Sequence, residues 1–316
     1  MTTISDSQNP TDINSNDLQQ QRFVKIVSRL MMAILLLMLV LIISKFTGQQ
    51  DLSVGTLFST IINSPIFWAA LAVGMAAQAV DGALGMAYGV TSNTFLLANG
   101  VPPAVASGAV HLAEVFTTGA SGMSHLRLGN VHRMLFLRLV IPGAIGGAIG
   151  AYVLTQVDGN LIKPFIQVYL ILMGFYILSK AFRKKAEKDY LDLNKKQKSI
   201  PTLAVFGGGM DAMGGGGWGP TVTTNLLSAN AHPRLAIGSV NTAEFFITLV
   251  ISAVFVATLS DFAQIWLVTL GLVLGGLIVA PFAAKLTHLI EPKKLMVLVA
   301  ILIITISGYG LSKFIF

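Results

Sequence analysis

Polar and apolar residues fall into long blocks along this chain, not into the two-residue alternation of strands. Residues 1–20 are polar and carry Asp6, Asp12 and Asp17 without a basic residue. Arg22, Lys25 and Arg29 follow, and an apolar run extends from Leu30 to Phe46. The pattern predicts a disordered tail over 1–29 and a first transmembrane helix over 30–46. Further apolar stretches cover Ile66–Val80, Val90–Ala98, Ala104–Gly122, Met134–Leu154 and Pro164–Phe182. After a basic interval come Thr202–Met210, Pro220–Ala229, Leu235–Leu259, Phe262–Ala284 and Lys294–Leu311. Several approach the ~20 residues needed to cross ~30 Å of hydrocarbon. Val90–Ala98 and Pro220–Ala229 are too short, and each follows a glycine cluster, Gly82–Gly89 and Gly207–Gly219.

Composition excludes a soluble globule. Of 316 residues, 54% are hydrophobic and 11% charged, against roughly 25% charged in an ordinary soluble domain. There is no cysteine, which excludes disulfides, thiolate metal ligands and a Cys nucleophile. The net charge of +7 is concentrated in one loop. Lys180, Arg183, Lys184, Lys185, Lys188, Lys195, Lys196 and Lys198 face only Glu187, Asp189 and Asp192 there. Between apolar blocks, such a loop is a topology signal and not a nucleic-acid patch.

The chain repeats itself. Asp81–Thr118 aligns without gaps on Asp211–Thr248, with 15 of 38 positions identical. The matches include Asp81/Asp211, Gly85/Gly215, Gly89/Gly219, Thr91/Thr221, Thr94/Thr224, Pro103/Pro233 and Glu114/Glu244. The core therefore reads as a first repeat over 66–182, a basic cytoplasmic linker over 183–200 and a second repeat over 201–316. Loop charges place the N-terminus inside, Thr47–Pro65 outside, and His125–Arg133 inside. They place Asp158 and Asp261 outside, and Lys285–Lys294 inside. The C-terminus is expected outside. Net crossings then require Ile66–Ala98 and Thr202–Ala229 to be hairpins entered from opposite faces. The fold class expected is all-α: a polytopic helical membrane protein with two inverted-topology repeats, broken helices and one extra N-terminal helix. This is a plan of secondary transporters.

The string Asp81-Gly82-Ala83-Leu84-Gly85-Met86-Ala87-Tyr88-Gly89, its partner Gly208–Pro220 and the two-half plan resemble the TauE/SafE sulfite exporter family. The resemblance covers roughly residues 66–316. It implies a multi-pass transporter of the bacterial inner membrane, exporting sulfite, sulfoacetate or similar anions. The expected partners are such a small anion and the lipid bilayer, with a homodimer left open and nucleic acid not expected.

The residues suggest how such an anion is held. A helix starting inside the bilayer leaves N–H groups without partners, and its N-terminus carries about half a positive charge. Two such starts, near Gly85, Gly89 and Thr91 and near Gly215, Gly219 and Thr221, make an anion site. Thr91, Thr94, Thr221 and Thr224 are candidate hydroxyl donors, or else bond back to their own helices. Glu114 lies 11 residues beyond Pro103, ~16 Å along a helix and thus near mid-bilayer. Glu114 and its counterpart Glu244 are candidates for proton coupling or gating. Ser107, His111, Glu114 and Thr118 share a helical face. His111 could bind an anion or relay a proton, and Asn241 stands at its equivalent position. Asp81 and Asp211 read as caps for the broken tips. A His-x-x-Glu pair has too few further ligands within sequence reach for a metal, so no metal and no cofactor are expected. No ATPase motif is present, and no complete catalytic constellation. An enzyme is not expected. The alternatives are an anion channel and an intramembrane enzyme using His111 and Glu114.

Overall fold

The computed structural model describes residues 10–47, 54–84, 86–182, 191–193, 197–259, 266–289 and 292–315. They form twelve α-helices and no strand among the described residues. In order these are α1 (Pro10–Thr47), α2 (Val54–Ile62), α3 (Pro65–Leu84), α4 (Tyr88–Ala98), α5 (Pro103–Arg127), α6 (Arg133–Gln156) and α7 (Gly159–Ala181). They continue as α8 (Ser199–Gly214), a π-wound turn (Gly219–Thr223) leading into α9 (Thr224–Ser228), α10 (Pro233–Thr258), α11 (Trp266–Leu289) and α12 (Pro292–Ile315).

One expectation is corrected at the N-terminus. The polar stretch from Pro10 to Arg29, expected as disordered tail, is helical and continuous with the apolar run after it. The reason is a stripe at four-residue spacing, Phe23, Val27 and Met31, all buried. Phe23 packs edge-on against Phe136, with ring centroids 5.2 Å apart. Beside the stripe, Gln20 Nε2 donates to the Val131 carbonyl at 2.7 Å, and Gln19 Oε1 accepts from Arg133 Nη1 at 2.7 Å. Residues 1–9 and most of the basic linker lie outside the described residues. The short helix α2 falls in a segment where no element was expected.

The bundle is apolar outside and carries buried polar side chains within an apolar core. Among the described residues, four helices are long and apolar enough to cross a membrane: Arg133–Gln156, Gly159–Ala181, Pro233–Thr258 and Met296–Phe314. Ile141, Ile145, Ile149 and Tyr152 form one exposed stripe of α6, and Leu161, Phe165, Val168, Leu172 and Phe175 another on α7. Contiguous apolar surface on this scale is costly in water and natural in lipid. By contrast α5 buries Ser107, His111, Glu114, Thr117 and Thr118. A central helix surrounded by others need not be apolar.

Glycine sets how closely the helices approach. A Cβ on Gly146 would strike the Val205 carbonyl oxygen, and one on Gly150 the Gly209 carbonyl oxygen. On the other side, Gly271 sits on Phe67 and Ala70, and Gly275 on Leu71 and Met75. Both contacts ascend in step, so α6 runs parallel to α8 and α11 parallel to α3. The packing partners are interchangeable between the halves. The pair α3–α11 corresponds to α8–α6, α5–α11 to α10–α6, and α5–α10 and α7–α12 pair with their own counterparts. Gly146→Val is expected to separate α6 from α8 and lower stability by about 1–3 kcal/mol, as overpacking does. Thermal melting in detergent checks this.

Candidate functional site

The two glycine clusters end α3 and α8, and the chain restarts as α4 and as the Gly219–Ser228 segment. These restarts meet. A Cβ on Gly89 would lie 2.7 Å from the Gly216 Cα and 2.9 Å from the Gly215 oxygen. Gly216 has φ +145° and a Cβ there would run into the Val90 nitrogen and the Gly89 backbone. Neither neighbour is a movable side-chain end. Gly216→Ala therefore combines a strained backbone with a backbone clash, and is expected to cost about 1–3 kcal/mol or more. Chemical denaturation in micelles measures it.

The second tip is capped by its aspartate. Asp211 Oδ1 accepts from the Gly217 N–H at 2.6 Å and from the Trp218 N–H at 2.9 Å. Asp81 stands at the aligned position of the first tip, as Tyr88 does for Trp218. The Asp211 cap satisfies donors that the break orphans. The second tip is held further. Ser107 Oγ donates to the Ala212 carbonyl at 2.6 Å, and His111 Nε2 lies 3.2 Å from Asp211 Oδ2. Asn93 Nδ2 of α4 donates to the Gly214 carbonyl at 2.5 Å.

A chamber lies between the tips. Its wall is Ala87, Tyr88, Gly89 and Val90 of the first tip, Gly216, Gly217, Gly219 and Pro220 of the second, and Thr118. Four carboxyl residues complete it: Asp81, Glu114, Asp211 and Glu244. Space is short, with room for about one water molecule at most. Glu114 and Asp211 are 3% and 1% exposed. Glu114 Oε2 has no hydrogen-bond partner. Four like charges this close, away from bulk water, require compensating protons or cations.

The structure gathers some expected residues at the chamber and not others. Gly89, Gly219, Glu114, Glu244, Asp81 and Asp211 line it. Gly85 lies outside the described residues. Gly215 touches the first tip but does not line the wall. Thr91, Thr94, Thr221, Thr224, His111 and Asn241 are buried yet do not line it either. Thr224 Oγ1 points to Met86 Sδ at 3.9 Å, and Asn241 Nδ2 to Ser121 Oγ at 3.3 Å. The hydroxyls of Thr91 and Thr94 have no partner. Pro220 follows the first residue of its helical segment, Gly219, and the turn there is π-wound. Sequence reasoning missed Asn93 and the wall role of Tyr88. The signal was faint: an amide in an otherwise apolar run, and an aromatic aligned with Trp218.

Apolar faces outward, with carboxyl groups gathered around interrupted helices at the centre, define a polytopic helical membrane transporter. Comparison with known proteins agrees. The family model described as Sulfite exporter TauE/SafE matches residues 70–310, and the chain belongs to that family. It is 46% identical over 240 residues to the probable membrane transporter protein YtnM of Bacillus subtilis (strain 168), covering 75% of this chain and 79% of that protein. It is 25% identical over 240 residues to the probable membrane transporter protein ORF9 of Sinorhizobium sp, covering 71% and 86%. No solved structure matches.

Proposed function

We propose that this protein carries sulfite or sulfur-containing organic anions such as sulfoacetate out across the bacterial inner membrane by alternating access. One observation carries the reading most: two interrupted helices from the two sequence repeats meet at a single buried chamber. The first-turn N–H groups of Gly89 and Val90 belong to the start of α4 and have no helical acceptor of their own. They face an anion's oxygens from one side, with Gly219 opposite. The partnerless hydroxyls of Thr91, in the first turn of α4, and Thr94, in the second, add donors once the tips part. Since the chamber is too tight for sulfite, binding and release require the tips to move. That favours a carrier over an open channel.

Packing also supports opposite insertion of the two halves. Successive elements reverse direction, so α6 is antiparallel to α3 within the first half. The helix α11 is the counterpart of α6, yet it runs parallel to α3. This fits a second half inverted relative to the first, with the N-terminus cytoplasmic and the C-terminus outside. The driving force is the membrane potential, which pushes anions outward, or protons carried by Glu114 or Glu244.

Flux of sulfite and sulfoacetate in proteoliposomes, under imposed pH and voltage gradients, tests the proposal. It predicts saturable flux accelerated by substrate on the opposite side. Large unitary currents would make it a channel, and chemical conversion of the substrate an enzyme.

A further inference from the structure

His111 is fully buried between a backbone carbonyl and a carboxylate. Its Nδ1 lies 2.8 Å from the Ser107 carbonyl oxygen. A carbonyl can only accept, so Nδ1 carries the proton. Nε2 faces Asp211 Oδ2 at 3.2 Å. That contact is closed either by a second ring proton, as an ion pair, or by a metal cation held between the two atoms. A third acceptor adjoins: one ligand atom each of His111, Glu114 and Asp211 lies within 4.8 Å of the others. Independently of that cluster, Glu114 Oε2 is buried and without a partner.

The surroundings are those of a metal site. A ligating histidine usually donates its other ring N–H to a carbonyl or carboxylate, which fixes tautomer and ring orientation. Ser107 does this here. A ligating carboxylate is usually hydrogen-bonded in turn, and Asp211 Oδ1 takes the Gly217 and Trp218 N–H groups. Zinc accepts nitrogen and carboxylate oxygen at about 2.0–2.2 Å, so the three donors, within 4.8 Å of one another, must draw together to close on an ion. One imidazole with two carboxylates suits a borderline divalent ion better than a thiolate-seeking or purely oxygen-seeking one.

We propose that His111, Glu114 and Asp211 bind one divalent transition-metal cation, of the class of Zn2+ or Co2+, at the second tip. For its role this rests on the transport reading, because the ion would supply the positive charge that an anion requires in an acid-lined chamber. Proton carriage then falls to Glu244. The site belongs to one tip only. The second half has Asn241 where the first has His111, and Asn241 turns to Ser121.

The test is equilibrium dialysis of the purified full chain in micelles against Zn2+, with Co2+ absorption as a second probe. The expected result is one ion per chain with the visible bands of nitrogen- and oxygen-ligated Co2+. His111→Asn, the residue that the second half carries, and Glu114→Gln should each weaken binding by more than the ~10–100-fold seen for outer-sphere changes. Thermal melting separates lost binding from lost folding, since Zn2+ should raise the melting temperature of the unmodified chain and not of either variant. Absence of stoichiometric uptake, or equal uptake by the folded variants, would overturn the site and leave a shared proton between His111 and Asp211. Anion flux without metal uptake sinks the metal site alone. Metal uptake without anion flux sinks the transport reading alone.

Discussion

Asp211→Ala will destabilise the protein by about 3–5 kcal/mol, because buried polar groups left without a partner cost roughly 1–3 kcal/mol each. Three groups lose their partner at once: the Gly217 and Trp218 N–H groups, from which Asp211 Oδ1 accepts, and His111 Nε2, which faces Oδ2. None can turn to water, because Asp211 is 1% exposed and His111 fully buried. Asp81→Ala is the internal comparison. Asp81 is partly exposed and lines the same chamber, so its loss should cost only about 1 kcal/mol. Melting or denaturant titration of both variants in the same micelle measures the difference. Equal losses would mean that the second tip is not the more tightly anchored one.

The double variant Glu114→Gln, Glu244→Gln should behave in the opposite way, keeping stability and losing transport. Glutamine preserves shape, and Glu114 Oε2 has no hydrogen bond to lose. The Thr118 and Thr248 hydroxyls bond to the backbone carbonyls of residues 114 and 244, which the change leaves in place. Stability should shift by no more than about 1 kcal/mol, as substitutions without a buried partner do. Flux should fall about a hundredfold, equivalent to roughly 2.7 kcal/mol on the rate-limiting barrier. Proteoliposome flux, with melting run alongside, checks both halves of the expectation. Unimpaired flux would assign the two glutamates to packing alone.

The architecture was legible because lipid imposes it. Apolar blocks of helical length, glycine clusters before the two short ones and the 130-residue spacing of Asp81/Asp211 and Glu114/Glu244 all survive as local patterns. The same patterns pointed to Asp81, Asp211, Glu114 and Glu244, which the fold brings to one chamber. Three features did not survive. The polar half of α1 folds because Phe23, Val27 and Met31 meet Phe136 and the central helix, which no local signal reveals. The threonines after the tips share helical segments with the wall but do not line it. His111 and Asp211 are 100 residues apart. Sequence spacing alone therefore counted too few ligands for a metal. The contact arises only because α5 of one half packs against the end of α8 of the other. Four carboxyl groups on one wall also recast the anion site. For the anion proposed above, helix starts alone would not offset that charge, so the proposal calls for protons or a cation as well.

The chain has no cysteine, so one introduced at Thr118, on the chamber wall, can be labelled alone. In proteoliposomes, a membrane-impermeant maleimide should react with Thr118→Cys, sulfoacetate should slow the reaction, and the labelled protein should stop carrying sulfoacetate. If the labelled protein instead carried it at an unchanged rate, the route across the membrane would lie elsewhere.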